Sequence, residues 1–370
     1  MLLLSVSSVM NTVLAVILAI LILLAMITVH EFGHYTAGKL LKFKINEFAI
    51  GFGPKLFKRT SKKTGEAFSV RILPLGGFCA FDGEEGEAEH PDSFNNKAPW
   101  KRIIVLVSGP LMNYLLALLL IIISLLSFGQ MLFKVGAVAP AEGVYAEYSL
   151  SENDLITNVD GKGIYLTTDL MTALNGKREG ESVSVTVLRG GEKHKIEVKL
   201  RADCDFENSA ETSKLWRALG IGIVEGENAN YWAVGVESHR FGFFETIGRS
   251  FVYSFKIAGT IFKVLGELLT GHLGLSAMGG PVTTIKLTSE IASQSVQNFF
   301  EIAAYIGVNL AVFNLLPIPA LDGSKVIFCL IEWIFRKPVP RKVEAIIHAV
   351  GFFFILGFAV LVDLLQFMHC

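Results

Sequence analysis

Charged side chains are scarce in this sequence: 18% of its 370 residues, against 52% hydrophobic. A water-soluble domain carries about a quarter charged residues, so a wholly soluble chain is excluded. Charge of one sign is missing too. With 33 basic and 34 acidic residues the net charge is -1, which gives no footprint for a nucleic-acid partner. Cysteine is sparse, and Cys79, Cys204, Cys329 and Cys370 lie far apart with no CxxC pair. That excludes a disulfide scaffold and a thiolate zinc site.

Long apolar runs are present instead. A helix crosses a bilayer in about 20 residues, and four runs qualify: Met10 to Thr28, Ile103 to Phe128, Phe299 to Leu316 and Ile346 to Phe367. The first has no basic residue before it and no small-x-small cleavage site after it, so it reads as a retained helix rather than a signal peptide. Lys and Arg cluster between the first two runs (Lys39 to Arg102) and between the last two (Arg336, Lys337, Arg341, Lys342). Both links are expected in the cytoplasm. Both termini and the long middle segment then lie on the other side.

The middle segment, 134–201, reads as a small β-rich domain. Two alternating strands flank Gly190-Gly191, a hairpin signal, and "TTDLMTALNG" reads as a short helix with a Thr cap and a Gly stop. Within 202–295, the stretch Phe241 to Leu269 carries Glu245, Arg249, Lys256, Lys263 and Glu267 at roughly helical spacing. Several charges are costly in a bilayer core, so an amphipathic helix on the membrane surface is expected there rather than a fifth span.

The residue pattern with chemistry in it is His30-Glu31-Phe32-Gly33-His34, at the end of the first span. Residues four apart share a helix face, so both imidazoles can reach one metal ion. The intervening glutamate can take a proton from a metal-activated water. A pair of satisfied histidines at a helix end is the alternative. Ionisable groups directly continuing an apolar helix are costly unless paired or functional, which favours the metal.

A catalytic zinc takes three protein ligands. Asp322 is the first candidate for the third, because Pro317 and Pro319 interrupt the third span and Asp322 follows the break. It could equally cap the helix that begins there. Asp363 and His348, in the fourth span, are rivals that sit at no break. Asn309 and Asn314 need partners in the third span. They could bond a neighbouring helix or hold the backbone of an unwound substrate. "GEAFSVRILPLGGFCAF", about 66–80, reads as a hairpin or loop turning at Gly76-Gly77 and dipping towards the membrane, with an edge that could pair with an extended substrate. "SGPLMNY" opens the second span. Gly109-Pro110 is expected to break the helix start, and Asn113 to pack against a neighbouring helix.

Together these pieces resemble the site-2 protease family of intramembrane zinc metalloproteases, peptidase family M50, and in particular the bacterial members that regulate sigma-factor signalling. The resemblance rests on "HEFGH" at 30–34, "GFGPKLF" at 51–57, "LPLGGF" at 73–78, "GPLMN" at 109–113 and "NLLPIPALDG" at 314–323, in the family's order. It implies one zinc ion held by His30, His34 and Asp322, with Glu31 catalytic. It also implies substrate contacts at Asn309 and Asn314, and a membrane re-entrant β-loop at Gly76 and Gly77. The middle domain resembles a PDZ domain, with "VGAV" at 135–138 where such domains have their carboxylate-binding loop. This chain has room for one such domain. The segment "YAEYSLSENDLI" replaces the usual small-residue and Gly-Asp run, and Ser324 stands where a second Gly is usual.

The expected fold is therefore a polytopic α-helical membrane protein with four transmembrane helices, a re-entrant β-loop and an inserted α+β PDZ-like domain. Residues 1–128 would form the first half of the membrane core and 296–370 the second. The expected activity is cleavage of single-span membrane proteins, such as anti-sigma factors or signal-peptide remnants, in a bacterial cytoplasmic membrane. The expected partners are that substrate and the lipid bilayer, with no nucleic acid. A metal transporter or an inactive scaffold is the rival. A transporter would spread ionisable groups over several spans, and a scaffold would have lost Glu31.

Overall fold

A computed structural model describes residues 6–84, 90–207, 210–225, 230–273 and 279–369. The chain divides into two compact units, Met1–Ile123 with Leu275–Cys370, and Ser124–Gly274.

In the first unit, α1 (Val6–Leu40) is followed by β1 (Ile45–Thr60), β2 (Ala67–Phe81) and α2 (Pro99–Phe128), which passes into the second unit at its C-terminal end. The chain returns as α7 (Pro281–Gln294), α8 (Val296–Leu315), α9 (Asp322–Phe335) and α10 (Arg341–His369). Among the described residues, four helices are long and apolar enough to cross a membrane: α1 over Val13–Leu40, α2, α8, and α10 over Arg341–Gln366. These are the four runs expected, with one difference of consequence. Helix α1 continues well past residue 28, so His30 and His34 lie inside it rather than at its end.

The first unit's helices approach closely where side chains are smallest. A Cβ on Gly33 of α1 would overlap the Ser108 carbonyl of α2. A Cβ on Gly307 of α8 would stand 2.9 Å from Ala117 Cβ of α2 and 3.2 Å from Met26 Sδ of α1. Small residues at such crossings let apolar helices pack where no water drives them together. Helix α2 also departs from expectation. It runs unbroken through Gly109-Pro110. Proline removes the i→i−4 bond to Leu106 O, and the neighbouring carbonyl, that of Val105, accepts from Ser108 Oγ at 2.5 Å and from His34 Nδ1 at 2.8 Å.

Strands β1 and β2 pair antiparallel. Residues 45–50 meet 77–81 running in the opposite direction on one side, and 47–50 meet 67–70 running in the same direction on the other. Segment 67–71 also meets 55–60 running in the opposite direction. The result is a four-segment sheet in the order 77–81, 45–50, 67–71, 55–60, whose two outer segments are 77–81 and 55–60. One tight turn falls at 61–66, where Gly65 N–H donates to Ser61 O at 2.9 Å. The arms 67–70 and 77–81 flank 45–50 and run in opposite directions, so β2 reverses between 71 and 77, and Gly76, with φ +116, lies at the end of that expected turn.

The second unit holds a sheet of order β10-β3-β4-β6-β7, with β5 paired to β4. Its strands are β3 (Gln130–Val135), β4 (Leu155–Val159), β5 (Lys162–Gly163), β6 (Ser182–Arg189), β7 (Glu192–Lys199) and β10 (Val234–His239). Val183, Val185 and Val187 alternate into the core, and the expected hairpin turns at Gly190 and Gly191, φ +61 and +91. Such a turn demands residues that tolerate positive φ. Three short helices, α3 (Val144–Glu147), α4 (Thr167–Leu174) and α5 (Thr212–Ala218), lie outside the sheet, with a small ribbon of β8 (Ile223–Glu225) and β9 (Asn230–Trp232). No threonine caps α4. Leu166 is the cap residue, and Asp169 Oδ2 accepts its N–H at 3.0 Å, the reciprocal half of a capping box.

The sheet-bearing unit extends beyond residue 201. Strand β10 pairs with β3 along its length, and Leu215, Leu219 and Ile221 are buried in the same core as Val135 and Val185. Helix α6 (Phe243–Leu269) belongs to this unit and is not among the apolar spans. Its polar groups turn inward. Lys256 pairs with Asp169 at 2.7 Å and Arg249 donates to Gln130 Oε1 at 2.7 Å, while Phe244, Phe251, Phe255 and Phe262 are exposed.

Candidate active site

The i, i+4 spacing on α1 does what a helix requires of it: His30 and His34 share a face, and both are buried. Their Nε2 atoms lie 3.1 Å apart. Asp322 Oδ2 lies 3.0 Å from His30 Nε2 and 3.4 Å from His34 Nε2. Four-coordinate zinc with bonds of 2.0–2.1 Å separates its ligand atoms by about 3.3 Å, so the three atoms already stand at metal-ligand spacing. Asp322 Oδ2 is buried and receives no hydrogen bond. A buried carboxylate oxygen without a donor is costly, and a cation among these three atoms removes the cost.

Asp322 is not the cap of α9. Leu321 occupies the cap position and Asp322 the first helical one, where the helix dipole favours a carboxylate. The two rivals have other work. Asp363 accepts from Val282 N–H at 3.1 Å and from Thr283 N–H at 3.3 Å, holding the start of α7. His348 Nδ1 accepts from Ala320 N–H at 3.0 Å.

Each histidine is oriented by its other nitrogen. His34 Nδ1 donates to Val105 O, which leaves Nε2 as a lone pair. His30 Nδ1 lies 3.4 Å from the side-chain amide of Asn113, a fully buried residue. The amide lies with Nδ2 towards the ring and Oδ1 buried without a partner among the described residues; exchanging its two ends would let Oδ1 accept the Nδ1 proton and free His30 Nε2 in the same way. Gly109, one turn before Asn113, runs directly under the imidazoles. A Cβ there would stand 2.5 Å from His34 Nε2 and 2.9 Å from His30 Cε1. The motif on α2 that the sequence suggested was mere packing is thus the floor of the metal site. Its signal was an i, i+4 pair, Gly109 and Asn113, matching the i, i+4 pair His30 and His34.

Glu31 sits between the ligands, half-buried, and its Oε2 accepts Cys79 N–H at 2.9 Å. A cavity of about 480 Å³ holds Glu31, His34 and Asp322 together with residues 78–81 of β2. A second, of about 240 Å³, holds His30, Glu31, Asn113, Asn314 and Asp322. Asn314 is therefore gathered to the site. Asn309, five residues earlier and about 140° around α8, is not among the residues lining either cavity. Gly76 and Gly77 do not line them either. A Cβ on Gly76 would overlap the Phe52 ring, and one on Gly77 would stand 2.8 Å from Ala49 O and 3.5 Å from Glu31 Cγ. They let β2 pass close to β1 and Glu31, and the next residues reach the cavity.

The loop at 135–138 has no free amides to offer a peptide terminus at Gly136 and Ala137. Both donate to Ala233 O, at 2.7 and 3.4 Å, and Ala137 O in turn accepts Gly222 N–H at 2.8 Å. The unit's own chain occupies that groove edge.

Two ring nitrogens and a carboxylate on one metal, with a glutamate beside them and apolar spanning helices around them, define a membrane-embedded metal hydrolase. Comparison with known proteins agrees. The sequence pattern of peptidase family M50 matches residues 18–358. A Clostridium perfringens protein named "putative zinc metalloprotease" is 35% identical over 94% of this chain and 97% of its own length. Proteins of the same name from Fusobacterium nucleatum and Campylobacter jejuni are 29% and 30% identical, over 94% and 87% of this chain and 96% and 85% of their own lengths. The chain belongs to peptidase family M50. It is a membrane metalloprotease that uses zinc.

Proposed function

We propose that this protein is an intramembrane endopeptidase that cuts single-span membrane proteins within or near the bilayer in regulated intramembrane proteolysis. The observation that carries this reading is the shared cavity: Glu31, two of the three ligands (His34 and Asp322) and residues 78–81 of β2 line one space beside apolar helices.

His30 Nε2, His34 Nε2 and Asp322 Oδ2 would hold the ion. Zinc supplies a Lewis acid that polarises the scissile carbonyl and lowers the pKa of a water. Glu31 takes the proton of that water and delivers it to the leaving amine. The hydrogen bond from Cys79 N–H fixes one carboxylate oxygen and leaves the other to work. A substrate helix hides its peptide bonds in its own hydrogen bonds, so it must unwind first. Segment 77–81 is the edge beside the cavity on which an extended stretch would add as a strand, and this would be the role of a re-entrant loop. Asn314 would satisfy freed backbone groups beside it, and Asn309 would do so further along the substrate's path.

The Lys and Arg distribution supports a cytoplasmic location for 39–102 and 336–342. The active site then lies near the cytoplasmic face of a bacterial cell membrane, with both termini and the sheet-bearing unit outside. The exposed phenylalanines of α6 fit a helix resting on the lipid surface. The internally bonded 135–138 loop favours a PDZ-like unit that filters substrates by size over one that grips a peptide terminus.

The test is trapping. Glu31→Gln, expressed in the native cell, is expected to retain zinc and co-purify with uncut single-span membrane proteins. Co-purification with none, or undiminished cleavage, would refute the reading.

A further inference from the structure

Asp322 hangs from an irregular piece of chain. Between α8 and α9, Ile318 N–H donates to Leu316 O and Leu321 N–H to Ile318 O. Ala320, two residues before the ligand, has φ +76, a region that strains any residue with a Cβ. Strain of this kind persists only where the surroundings enforce it.

The enforcement comes from α10. His348 Nδ1 accepts the Ala320 N–H at 3.0 Å. One turn along the same helix face, Gly351 meets Pro319 so closely that a Cβ would overlap the proline ring. The His348 ring also stands edge-on to Phe328 of α9, with ring centroids 5.7 Å apart. One side chain thus holds the strained peptide and braces the helix that presents the ligand. An accepting Nδ1 places the ring proton on Nε2, on the side of Glu344, whose Oε1 is 3.8 Å away.

We propose that His348 is a positioning residue for the metal centre. It holds Ala320 in its left-handed conformation, and so sets the Asp322 carboxylate against His30 and His34. Through it the fourth span is coupled to metal binding, although α10 contributes no ligand. The proposal rests on the reading of His30, His34 and Asp322 as the residues that hold the ion.

Zinc affinity of the full-length protein in detergent, measured by competition with a chromogenic chelator, tests it. His348→Leu keeps bulk but offers no acceptor, and zinc affinity is expected to fall about 10–100-fold, as for other outer partners of metal ligands. His348→Asn places an acceptor oxygen where Nδ1 was and is expected to recover most of that loss. A purely structural role would move the melting temperature of both variants and leave zinc affinity per folded molecule unchanged. Gly351→Ala disturbs the same contact from the next turn and should also weaken zinc binding. Gly357→Ala, where a Cβ meets nothing within 4 Å, should not. Should His348→Leu not fold, His348→Asn and Gly351→Ala still decide the matter. Wild-type zinc affinity in Gly351→Ala and His348→Leu, with zinc lost from Asp322→Ala, would overturn the proposal. So would a His348→Asn variant no better than His348→Leu. Retention of zinc by Asp322→Ala would instead overturn the ligand reading, and the proposal with it.

Discussion

The sharpest consequence of the site geometry concerns one methyl group. Gly109 lies in the interior of α2, where replacing glycine by alanine normally stabilises a helix by about 1 kcal/mol. Here the added Cβ would stand 2.5 Å from both Cε1 and Nε2 of His34. Ordinary contact begins at 3.4 Å, so the imidazole must retreat by about 0.9 Å. Metal-ligand distances tolerate about 0.2 Å. His34 cannot move that far and keep its bond to Val105 O, and His30 is crowded by the same methyl at 2.9 Å. Gly109→Ala should therefore lose at least about 10–100-fold in zinc affinity, or about 1.4–2.7 kcal/mol, with proteolysis falling alongside. The assay is chelator competition on purified protein, with a thermal melt in excess chelator to show that the apo fold survives. The same substitution at Gly357, in open space on α10, is the control and should leave zinc binding alone. Wild-type zinc affinity in Gly109→Ala would refute the reasoning that α2 forms the floor of the site.

Chelation with 1,10-phenanthroline should abolish cleavage and added zinc should restore it, measured on a single-span reporter in detergent. Asn113→Ala removes the partner of His30 Nδ1 and should weaken zinc about 10–100-fold, while Asn113→Asp, which keeps an acceptor, should weaken it less. Asp154 is fully buried and takes two hydrogen bonds from Arg189, at 2.7 and 2.8 Å, and one from Ser151 N–H. Asp154→Ala should destabilise the sheet-bearing unit by about 1.5–3 kcal/mol in a denaturant melt, without touching zinc affinity.

What could be read from the sequence follows from the range of the interactions involved. The four apolar helices and the His30–Glu31–His34 face are local patterns, set by composition and by a period of 3.6. The Gly190-Gly191 hairpin is local as well. From residue pattern alone Asp322 was legible as a candidate, since a carboxylate after a proline break serves a helix start and a distant metal equally well in one dimension, and it was the family resemblance that singled it out. The structure separates the two through Leu321 at the cap position and His30 3.0 Å from the carboxylate. Gly109 and Asn113 were read as packing because their partners lie about 80 residues away on another helix. The Gly76-Gly77 turn was legible as a local glycine signal, but not the insertion of 45–50 between its two arms, 67–70 and 77–81, which depends on pairing about 25 residues away. The charges on α6 suggested a solvated face, yet Arg249 and Lys256 turn toward Gln130 and Asp169 of their own unit. Periodicity locates a polar face and is silent on what covers it.

The division of labour between the helices explains why the third ligand sits at a break. A continuous spanning helix presents side chains sideways, as α1 does with His30 and His34. A third group aimed at the same point from an opposing helix fits more easily at a helix start, where the chain has just turned and the side chain projects along the axis. Interrupting a helix among apolar spans has a cost, because each freed backbone group needs a partner. Each residue of the break with a freed donor finds one. Leu316 N–H bonds Phe313 O, Ile318 and Leu321 bond within the turn, and Ala320 bonds His348. Pro317 and Pro319 have no N–H to satisfy. Prolines at the two positions between Leu316 and Ala320 where a donor would otherwise need a partner make the break tolerable, and the break makes Asp322 available to the ion. The proline motif and the aspartate are in this sense one device, and the metal chemistry of α1 depends on it as much as on its own histidines.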